Sequence, residues 1–295
     1  MCDIKYTGGN TVNLDWSHSK LAAMPDLDDQ PLHELTELNL YDNQFGSIPE
    51  EVLQMHNLEI LNLSVNMLHT ISPGITALHK LKMIDFGHNQ IESVPAEIGK
   101  LAQLEDYLYL HNNRLYTIPP EIGQLSKLKY LNLSDNSLTE LPDELGGLAG
   151  MVELRIMNNQ LTGLPEAFGG LGNLRELHLK NNRLSGLPEI FGGLPLLRVL
   201  DAEDNELLQV PESLSECTRL RRLNLRNNRL SVLPEGIGSL TNLLELDLRS
   251  NHLLEIPESL LEIKGLERLD LRWNHKLNLP GWLHQLEDNG CIVYL

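Results

Sequence analysis

Hydrophobic residues follow one repeated frame along almost the whole chain. An Asn recurs at positions 43, 66, 89, 113, 136, 159, 182, 205, 228, 251 and 274, in steps of 23 residues with one step of 24. Apolar residues stand five and three positions before each Asn, and a degenerate earlier copy is centred on Ser19. A fixed period of this length is typical of architectures in which each copy stacks on its neighbours. The pattern therefore predicts twelve stacked repeats.

Each repeat is predicted to contain one short strand and one short helical turn. Two apolar residues separated by a single polar residue have the period of a strand with one buried face. Between the strands a Leu-Pro-Glu-x-Ile-Gly-x-Leu segment recurs, as in residues 233–240, and its apolar spacing suits a helical turn. Pro and a following acidic residue fit the start of such a turn, because the first N–H groups of a helix are unpaired. We therefore expect an α/β fold with stacked parallel strands on one side and helical turns on the other.

The recurring Asn is predicted to be structural. Backbone donors and acceptors are left inside the stack after each strand, and an amide side chain can satisfy both kinds. The frame LxxLxLxxNxLxxLPxxIGxLxx resembles the leucine-rich repeat family, in its 23-residue subclass, over residues 14–286. The resemblance implies a right-handed solenoid with the parallel sheet on the concave side and the Pro-Glu segments on the convex side. Similar repeats occur in intracellular Ras-pathway scaffolds, plant intracellular proteins and bacterial proteins, including host-directed effectors.

The ends of the chain are predicted to cap a single solenoid. An open end would expose the core and an unpaired strand edge. We assign residues 1–13 to an N-terminal cap, 14–280 to the repeats and 281–295 to a C-terminal cap. In the C-terminal cap, a last strand is expected to direct Ile292 and Tyr294 inward.

Local departures from the frame give further expectations. The 24-residue step places one extra residue just before a strand in residues 104–110, which predicts a bulge or kink. Phe168, Phe191 and Cys217 replace Leu or Ile of the frame, so we expect them to be buried. Cys291 is expected to be exposed.

Composition and charge narrow the partners and the location. The 41 acidic and 23 basic residues give a net charge of -18, which repels nucleic acid and anionic lipid. No apolar run is long enough to span a bilayer, and the first residues lack the apolar segment of a signal peptide. The three cysteines lie far apart in the sequence, which argues against a disulfide framework and is consistent with a reducing compartment. We expect neither a nucleic-acid nor a membrane partner, and a cytoplasmic protein or one secreted without a cleavable signal peptide.

The outward strand positions, six, four and two before each Asn, are the candidate binding positions. In the N-terminal half they include a set of apolar and aromatic residues: Tyr41, Ile60, Met83, Tyr107, Tyr109 and Tyr130. Adjacent strands lie about 4.8 Å apart, so four of these side chains should form a continuous strip. An exposed strip rich in Tyr and Met is typical of a protein-binding hot spot. Alternatively, these side chains only cover one another across the strands.

The C-terminal half carries charge at the same positions. Its candidate binding residues are Arg155, Lys180, Arg226, Arg249 and Arg272. Such a series could hold an acidic peptide or a phosphate. Acidic residues lie on the same strands, however, and favour a ladder that neutralises itself. Mixed charges beside an apolar strip would still orient a partner. Trp273 is either an exposed anchor or part of the cap.

No catalytic motif is present. The sequence lacks GxSxG, HExxH, P-loop and Rossmann fingerprints. His88 and His111 fall near Asp85, but eleven scattered histidines make such a grouping a weak indication of a metal site. We therefore predict no enzymatic activity, no cofactor and no metal site. The expected function is a monomeric, non-enzymatic scaffold that binds a protein through its concave face. The alternative is a recognition or targeting module for a separate ligase, kinase or phosphatase, including a bacterial host-directed effector.

Overall fold

The predicted alternation of strands and helical turns is present throughout the described chain. A computed structural model describes residues 5–7, 11–26 and 32–295, with side chains from residue 12 onward. Its strands are three to five residues long, and short helices, nearly all of them 3-10 helices, separate most of them. The chain divides into two compact units. Unit 1 comprises Met1–Leu138 and Gly147–Met151, and unit 2 comprises Thr139–Gly146 and Val152–Leu295.

Unit 1 holds the first seven described strands. These are β1 (Lys5–Thr7), β2 (Thr11–Asp15), β3 (Glu37–Asn39), β4 (Ile60–Asn62), β5 (Met83–Asp85), β6 (Tyr107–Tyr109) and β7 (Tyr130–Asn132). The first strand pairs with β2 in antiparallel orientation, and each later strand lies parallel to the one before it. The helical turns are Leu32–Glu34, α1 (Glu50–Leu53), Pro73–Ala77, Ala96–Lys100 and Pro120–Gln124. Of the predicted N-terminal cap, residues 1–4 and 8–10 lie outside the described residues.

Unit 2 repeats the same arrangement with parallel strands only. Its strands are β8 (Glu153–Arg155), β9 (Glu176–His178), β10 (Val199–Asp201), β11 (Arg222–Asn224), β12 (Glu245–Asp247), β13 (Arg268–Asp270) and β14 (Ile292–Tyr294). Its helices are Glu166–Gly170, Phe191–Gly193, Glu212–Glu216, Glu235–Ser239, Glu258–Glu262 and α2 (His284–Asp288). One further 3-10 helix, Asp143–Gly147, spans the boundary in sequence between the units. None of the helices in the described ranges is long and apolar enough to cross a membrane.

The apolar positions of the frame form the interior of each unit. In the three-residue strands from β3 to β13 the central residue is buried, as Leu61 and Leu246 illustrate, while its two neighbours face outward. The central residue of β14, Val293, is half-buried. Phe168, Phe191 and Cys217 are fully buried, as predicted. Burial raises the pKa of the Cys217 thiol to about 12, so this thiol is a packing group.

The Asn ladder has the predicted structural role. The Asn66 amide group donates to the carbonyl oxygens of Leu40, Leu63 and Ser64 at 2.9, 3.1 and 3.2 Å. Its side-chain oxygen accepts the N–H of Phe45 at 3.0 Å. The same set of bonds recurs from repeat to repeat in both units. The ladder Asn residues with this full set of bonds therefore link two neighbouring repeats of one unit through backbone groups that would otherwise be unpaired inside the protein.

The residue before each ladder Asn adopts a left-handed conformation. Its φ is between 51° and 62° in every such repeat, and the residue is usually Asn, Asp, His or Ser. Asn and Asp tolerate this region best among residues with a side chain, because their short polar groups bond locally. Val65, with φ 54°, is the β-branched exception. A β-branched side chain is strained in this region.

Replacing Val65 with Asn should therefore raise the free energy of unfolding by about 1 kcal/mol, because it relieves this backbone strain. The reverse exchange, Asn112→Val, places Val at the corresponding position of the β6 repeat, where φ is 51°. It should lower stability by a similar amount. Urea unfolding followed by circular dichroism measures both changes. A Val65→Asn protein no more stable than the wild type would contradict the strain argument.

The helical turns pack closely from one repeat to the next. The Pro before a turn is extended, with φ between −61° and −72°, and its carbonyl oxygen begins the turn, as where Pro234 accepts the N–H of Ile237 at 3.1 Å. The Gly of the Ile-Gly pair permits contact with the following repeat. A Cβ atom on Gly238 would collide with the backbone carbonyl of Ser259, which explains why this motif contains Gly.

The extra residue of the 24-residue step forms the expected bulge. In the preceding repeat, the N–H groups of Lys82 and Met83 share the carbonyl of Glu59. At the insertion, the carbonyls of Glu105 and Asp106 each accept a separate N–H from the next repeat. The insertion is thus absorbed before β6 begins, and β6 keeps the standard register of outward and inward positions.

The prediction for the C-terminal strand was correct in position and wrong in orientation. Strand β14 pairs with β13, but Ile292 aligns with Arg268 and Tyr294 with Asp270, which are outward positions. Ile292 is accordingly 57% exposed and Tyr294 37%. A shift of one residue exchanges the two faces of a strand. The same shift buries Cys291, contrary to expectation, and burial raises the pKa of its thiol.

Candidate protein-binding surface

The outward face of the sheet in unit 1 carries the predicted apolar strip. Ile60 pairs with Met83, Met83 with Tyr107, and Tyr107 with Tyr130 across successive parallel strands. Tyr107 is 41% exposed and the other three are half-buried. The strip is therefore continuous, and it follows from the strand register that the period of the frame sets.

Two tyrosines of this strip, Tyr107 and Tyr130, form a compact aromatic cluster with Tyr109. The rings of Tyr107 and Tyr109 are stacked with centroids 5.6 Å apart, and Tyr130 lies 5.4 and 5.2 Å from them. His111 extends the cluster, with its ring 5.8 Å from that of Tyr109. We call these four side chains the tyrosine cluster. Offset and tilted rings at these separations attract one another, so the cluster is a preorganised surface.

Tyr41, the other predicted tyrosine, lies apart from the cluster. It follows β3, and its ring contacts His18 edge-on with centroids 5.1 Å apart. His18 in turn pairs with Asp42 at 2.6 Å. Met67, beyond the end of β4, is 47% exposed.

The histidine and aspartate grouping noted in the sequence shares His111 with the tyrosine cluster. The rings of His88 and His111 meet edge to face with centroids 4.9 Å apart. His111 lies directly over Gly87, where a Cβ atom would collide with its ring. Burial is the main cause that lowers the pKa of His111, and burial likewise raises the pKa of Asp85. The Asp85 carboxylate accepts the N–H of Gly87 at 2.8 Å.

The predicted cationic residues of unit 2 are all engaged within the chain. Arg155 pairs with Glu153 at 2.5 Å, Lys180 with Glu203 at 3.0 Å, Arg226 with Glu203 at 3.5 Å, Arg249 with Asp247 and Asp270, and Arg272 with Asp270 at 2.6 Å. Hydrogen bonds that these cations donate to the paired acids raise the pKa values of Lys180, Arg249 and Arg272. The self-neutralising alternative is therefore what the structure shows.

Asp270 is the most buried acid of this ladder. Its side chain is 6% exposed and lies between two cations, with Arg249 Nε at 3.4 Å and Arg272 at 2.6 Å. Arg272 also lies 4.9 Å from the ring of Tyr294 and 5.8 Å from that of Trp273, which is 52% exposed. Trp273 is thus at the surface.

A group that the sequence analysis did not single out lies on β8 and β9. Glu153 and Glu176 are directly opposite one another, and His178 Nε2 is 3.8 Å from Glu153 and 3.2 Å from Glu176. These atoms could hold a cation. Arg155 already neutralises Glu153, so the group belongs to the ion-pair ladder. This group could have been found from the sequence, because the repeat frame aligns these outward positions on adjacent strands.

The same face of unit 2 has a shallow depression of about 240 Å³. Val199 lines it beside Arg222, its partner on the next strand. Asp201 lines it, and burial raises the pKa of that carboxyl. The depression is open to solvent and carries acids and arginines together.

Family comparisons agree with the frame. A model described as a leucine-rich repeat region matches residues 118–202, and two models described as leucine-rich repeats match residues 33–91, 218–275 and 106–125. No curated protein sequence matches the chain significantly.

Solved structures show the same fold. The TDR receptor is 32% identical with a TM-score of 0.82, over 95% of this chain and 50% of the receptor chain. A leucine-rich repeat protein of Leptospira interrogans is 24% identical with a TM-score of 0.52, over 96% of this chain and 95% of that one. Drosophila Toll, solved in complex with Spätzle, is 21% identical with a TM-score of 0.78, over 95% and 43%.

Proposed function

Since the chain belongs to the leucine-rich repeat family, whose fold is typical of protein-protein interaction modules, we propose that it binds a partner protein through the outward sheet face of unit 1. The tyrosine cluster is the anchor of this interface. Toll, which shares the fold, is itself found in a protein complex.

The tyrosine cluster is the observation that supports this proposal most directly. The ring centroids of Tyr107, Tyr109 and Tyr130 lie within 5.6 Å of one another. Tyr107 also pairs in register with Met83 on β5. Tyr is enriched at binding hot spots because its ring buries a large area while its hydroxyl tolerates water. The rings already support one another, so binding orders few further side chains and loses little conformational entropy.

The charged face of unit 2 should contribute less to the affinity for a partner than the tyrosine cluster does. Arg155, Lys180, Arg226, Arg249 and Arg272 already have acidic partners, so a bound acid would have to replace an existing ion pair. Exchanging one partly buried ion pair for another changes the free energy little, because the attraction to the bound acid replaces an attraction that is already present. We assign these residues to the orientation of a partner.

We further propose that the protein acts without an enzymatic activity of its own. The depression on unit 2 is shallow and open, whereas enzyme sites usually enclose their substrates. The carboxylates and the imidazole of β8 and β9 are engaged with one another and with Arg155. Binding alone accounts for the exposed chemistry described here.

The test is a comparison of tyrosine variants. The double variant Tyr107→Ala, Tyr109→Ala should bind its partner at least about tenfold more weakly than the wild type, because it removes the anchor rings. Affinity capture from native lysate identifies the partner, and titration with the purified partner measures the dissociation constants. Circular dichroism should show both proteins folded.

Tyr116→Ala is the matched control. Tyr116 is 62% exposed and belongs to unit 1, but it lies outside the strands. Its loss should leave the dissociation constant within about twofold. Equal binding by the wild type and the double variant would reject the proposed interface.

A further inference from the structure

Strands β2 to β7 of unit 1 have no Lys or Arg at the outward positions that the structure describes; Lys5, on β1, pairs in register with Asn13. From β2 to β7 these positions hold Asn13, Asp15, Glu37, Asn39, Ile60, Asn62, Met83, Asp85, Tyr107, Tyr109, Tyr130 and Asn132. Lys82 and Lys129 stand just before β5 and β7, and they pair with Glu59 at 2.7 Å and Asp106 at 3.2 Å. In unit 2, by contrast, arginines alternate with the acids. The face of unit 1 is therefore aromatic and acidic.

We propose that the partner segment bound by the tyrosine cluster is cationic, and that one of its Lys or Arg side chains contacts Asp85. This inference rests on the proposed function and specifies the chemistry of the partner. The occupant is an extended protein segment with basic side chains. This segment crosses the strands along the apolar strip.

Asp85 is placed to receive such a cation. It pairs in register with Tyr109 and lies beside the imidazole of His111. Among the described ion pairs, none joins Asp85 to a Lys or Arg. Burial raises the pKa of its carboxyl, because the ionised form loses contacts with water that the free protein does not fully replace. A cation from a partner would compensate for that loss.

The tyrosine rings favour the same ligand chemistry. A Lys or Arg side chain over the face of a Tyr ring is attracted by the ring quadrupole, and the attraction increases as water is excluded. Tyr109 is next to Asp85 across the sheet, so one cation can contact the carboxylate and the ring together. Glu37 lies two strands away on β3, in register with Met83 and therefore two residues before the level of Asp85, and offers a second acid about 12 Å from Asp85. In an extended segment this separation spans about three to four residues.

Asp85→Asn is a clean test because the chain already uses Asn at this position. Asn62 and Asn132 occupy it in β4 and β7, and their side-chain oxygens accept the same local N–H at 2.9 and 3.0 Å. The variant therefore keeps the local hydrogen bond and removes only the charge. Glu51→Gln is the control, since Glu51 is an exposed acid on α1 of the same unit.

The experiment selects a random dodecapeptide phage library on the wild-type protein and removes binders of the Tyr107→Ala, Tyr109→Ala variant. Fluorescence anisotropy then measures synthetic copies of the selected peptides against each protein. We expect the peptides to be rich in Lys or Arg. Asp85→Asn should weaken their binding at least tenfold, and Glu51→Gln by less than twofold.

The outcomes separate this inference from the proposed function. Selected peptides that are neutral or acidic overturn the cationic partner and leave the binding surface intact. Equal weakening by Asp85→Asn and Glu51→Gln also overturns it, because attraction would then arise from the net charge alone. A library in which no peptide prefers the wild type over the tyrosine variant counts against the binding surface itself.

Discussion

Replacing Phe168 with Ala is expected to lower the free energy of unfolding by about 4 kcal/mol. Phe168 is fully buried at the third residue of the turn Glu166–Gly170. Truncation removes most of an aromatic ring from the interior and leaves a cavity that the rigid neighbouring repeats cannot fill.

Phe168→Leu is the matched control. Leu145, Leu214 and Leu260 occupy the same place in their own turns, so the backbone accepts Leu there. This variant should cost less than half as much, because it keeps most of the apolar volume. Urea unfolding followed by circular dichroism measures both changes. A loss below about 1.5 kcal/mol for Phe168→Ala would show that the turn collapses around the cavity.

The fold could be predicted from the sequence because the same signal is repeated. A single apolar-polar-apolar triplet is weak evidence for a strand, but its recurrence at a constant distance from an Asn fixes both its place and its buried face. The register then follows, and it correctly placed Tyr107 beside Met83 and Tyr130. The apolar strip was predictable for this reason.

Orientation was not predictable where the frame ends. Strand β14 has no ladder Asn after it, so the sequence offered no reference point for counting. Its hydrophobic residues, Ile292, Val293 and Tyr294, are consecutive and fit either face. Pairing with β13 selects the orientation in which Val293 aligns with Leu269.

The charge pairing of unit 2 was predictable in kind and not in detail. Acids and bases at outward positions implied mutual neutralisation, yet each cation had several acids within reach. Arg249 bonds to Asp247 of its own strand and to Asp270 of the next one. Which acid is used depends on rotamers and burial, and residue spacing alone does not determine either. The pairing of His178 with Glu153 and Glu176 escaped prediction for the same reason.

Replacing Asn251 with Ala is expected to lower the free energy of unfolding by about 3 kcal/mol. The Asn251 amide donates to the carbonyls of Leu225 and Leu248 at 2.9 and 3.0 Å, and its oxygen accepts the N–H of Leu230 at 3.0 Å. The two carbonyls keep a second partner, because Asn228 bonds to the first and Asn274 to the second at 3.0 Å.

The main cost of Asn251→Ala is therefore the N–H of Leu230, a buried donor that loses its acceptor. Asn242→Ala is the control, since Asn242 is exposed and bonds only to the carbonyl of Thr218 among its described contacts. Its loss should change stability by less than about 1 kcal/mol. Hydrogen exchange should show the Leu230 amide losing protection in Asn251→Ala before its neighbours do. If that amide stays as protected as in the wild type, another group has taken over the Asn oxygen, and the ladder is less essential to the repeats than its geometry implies.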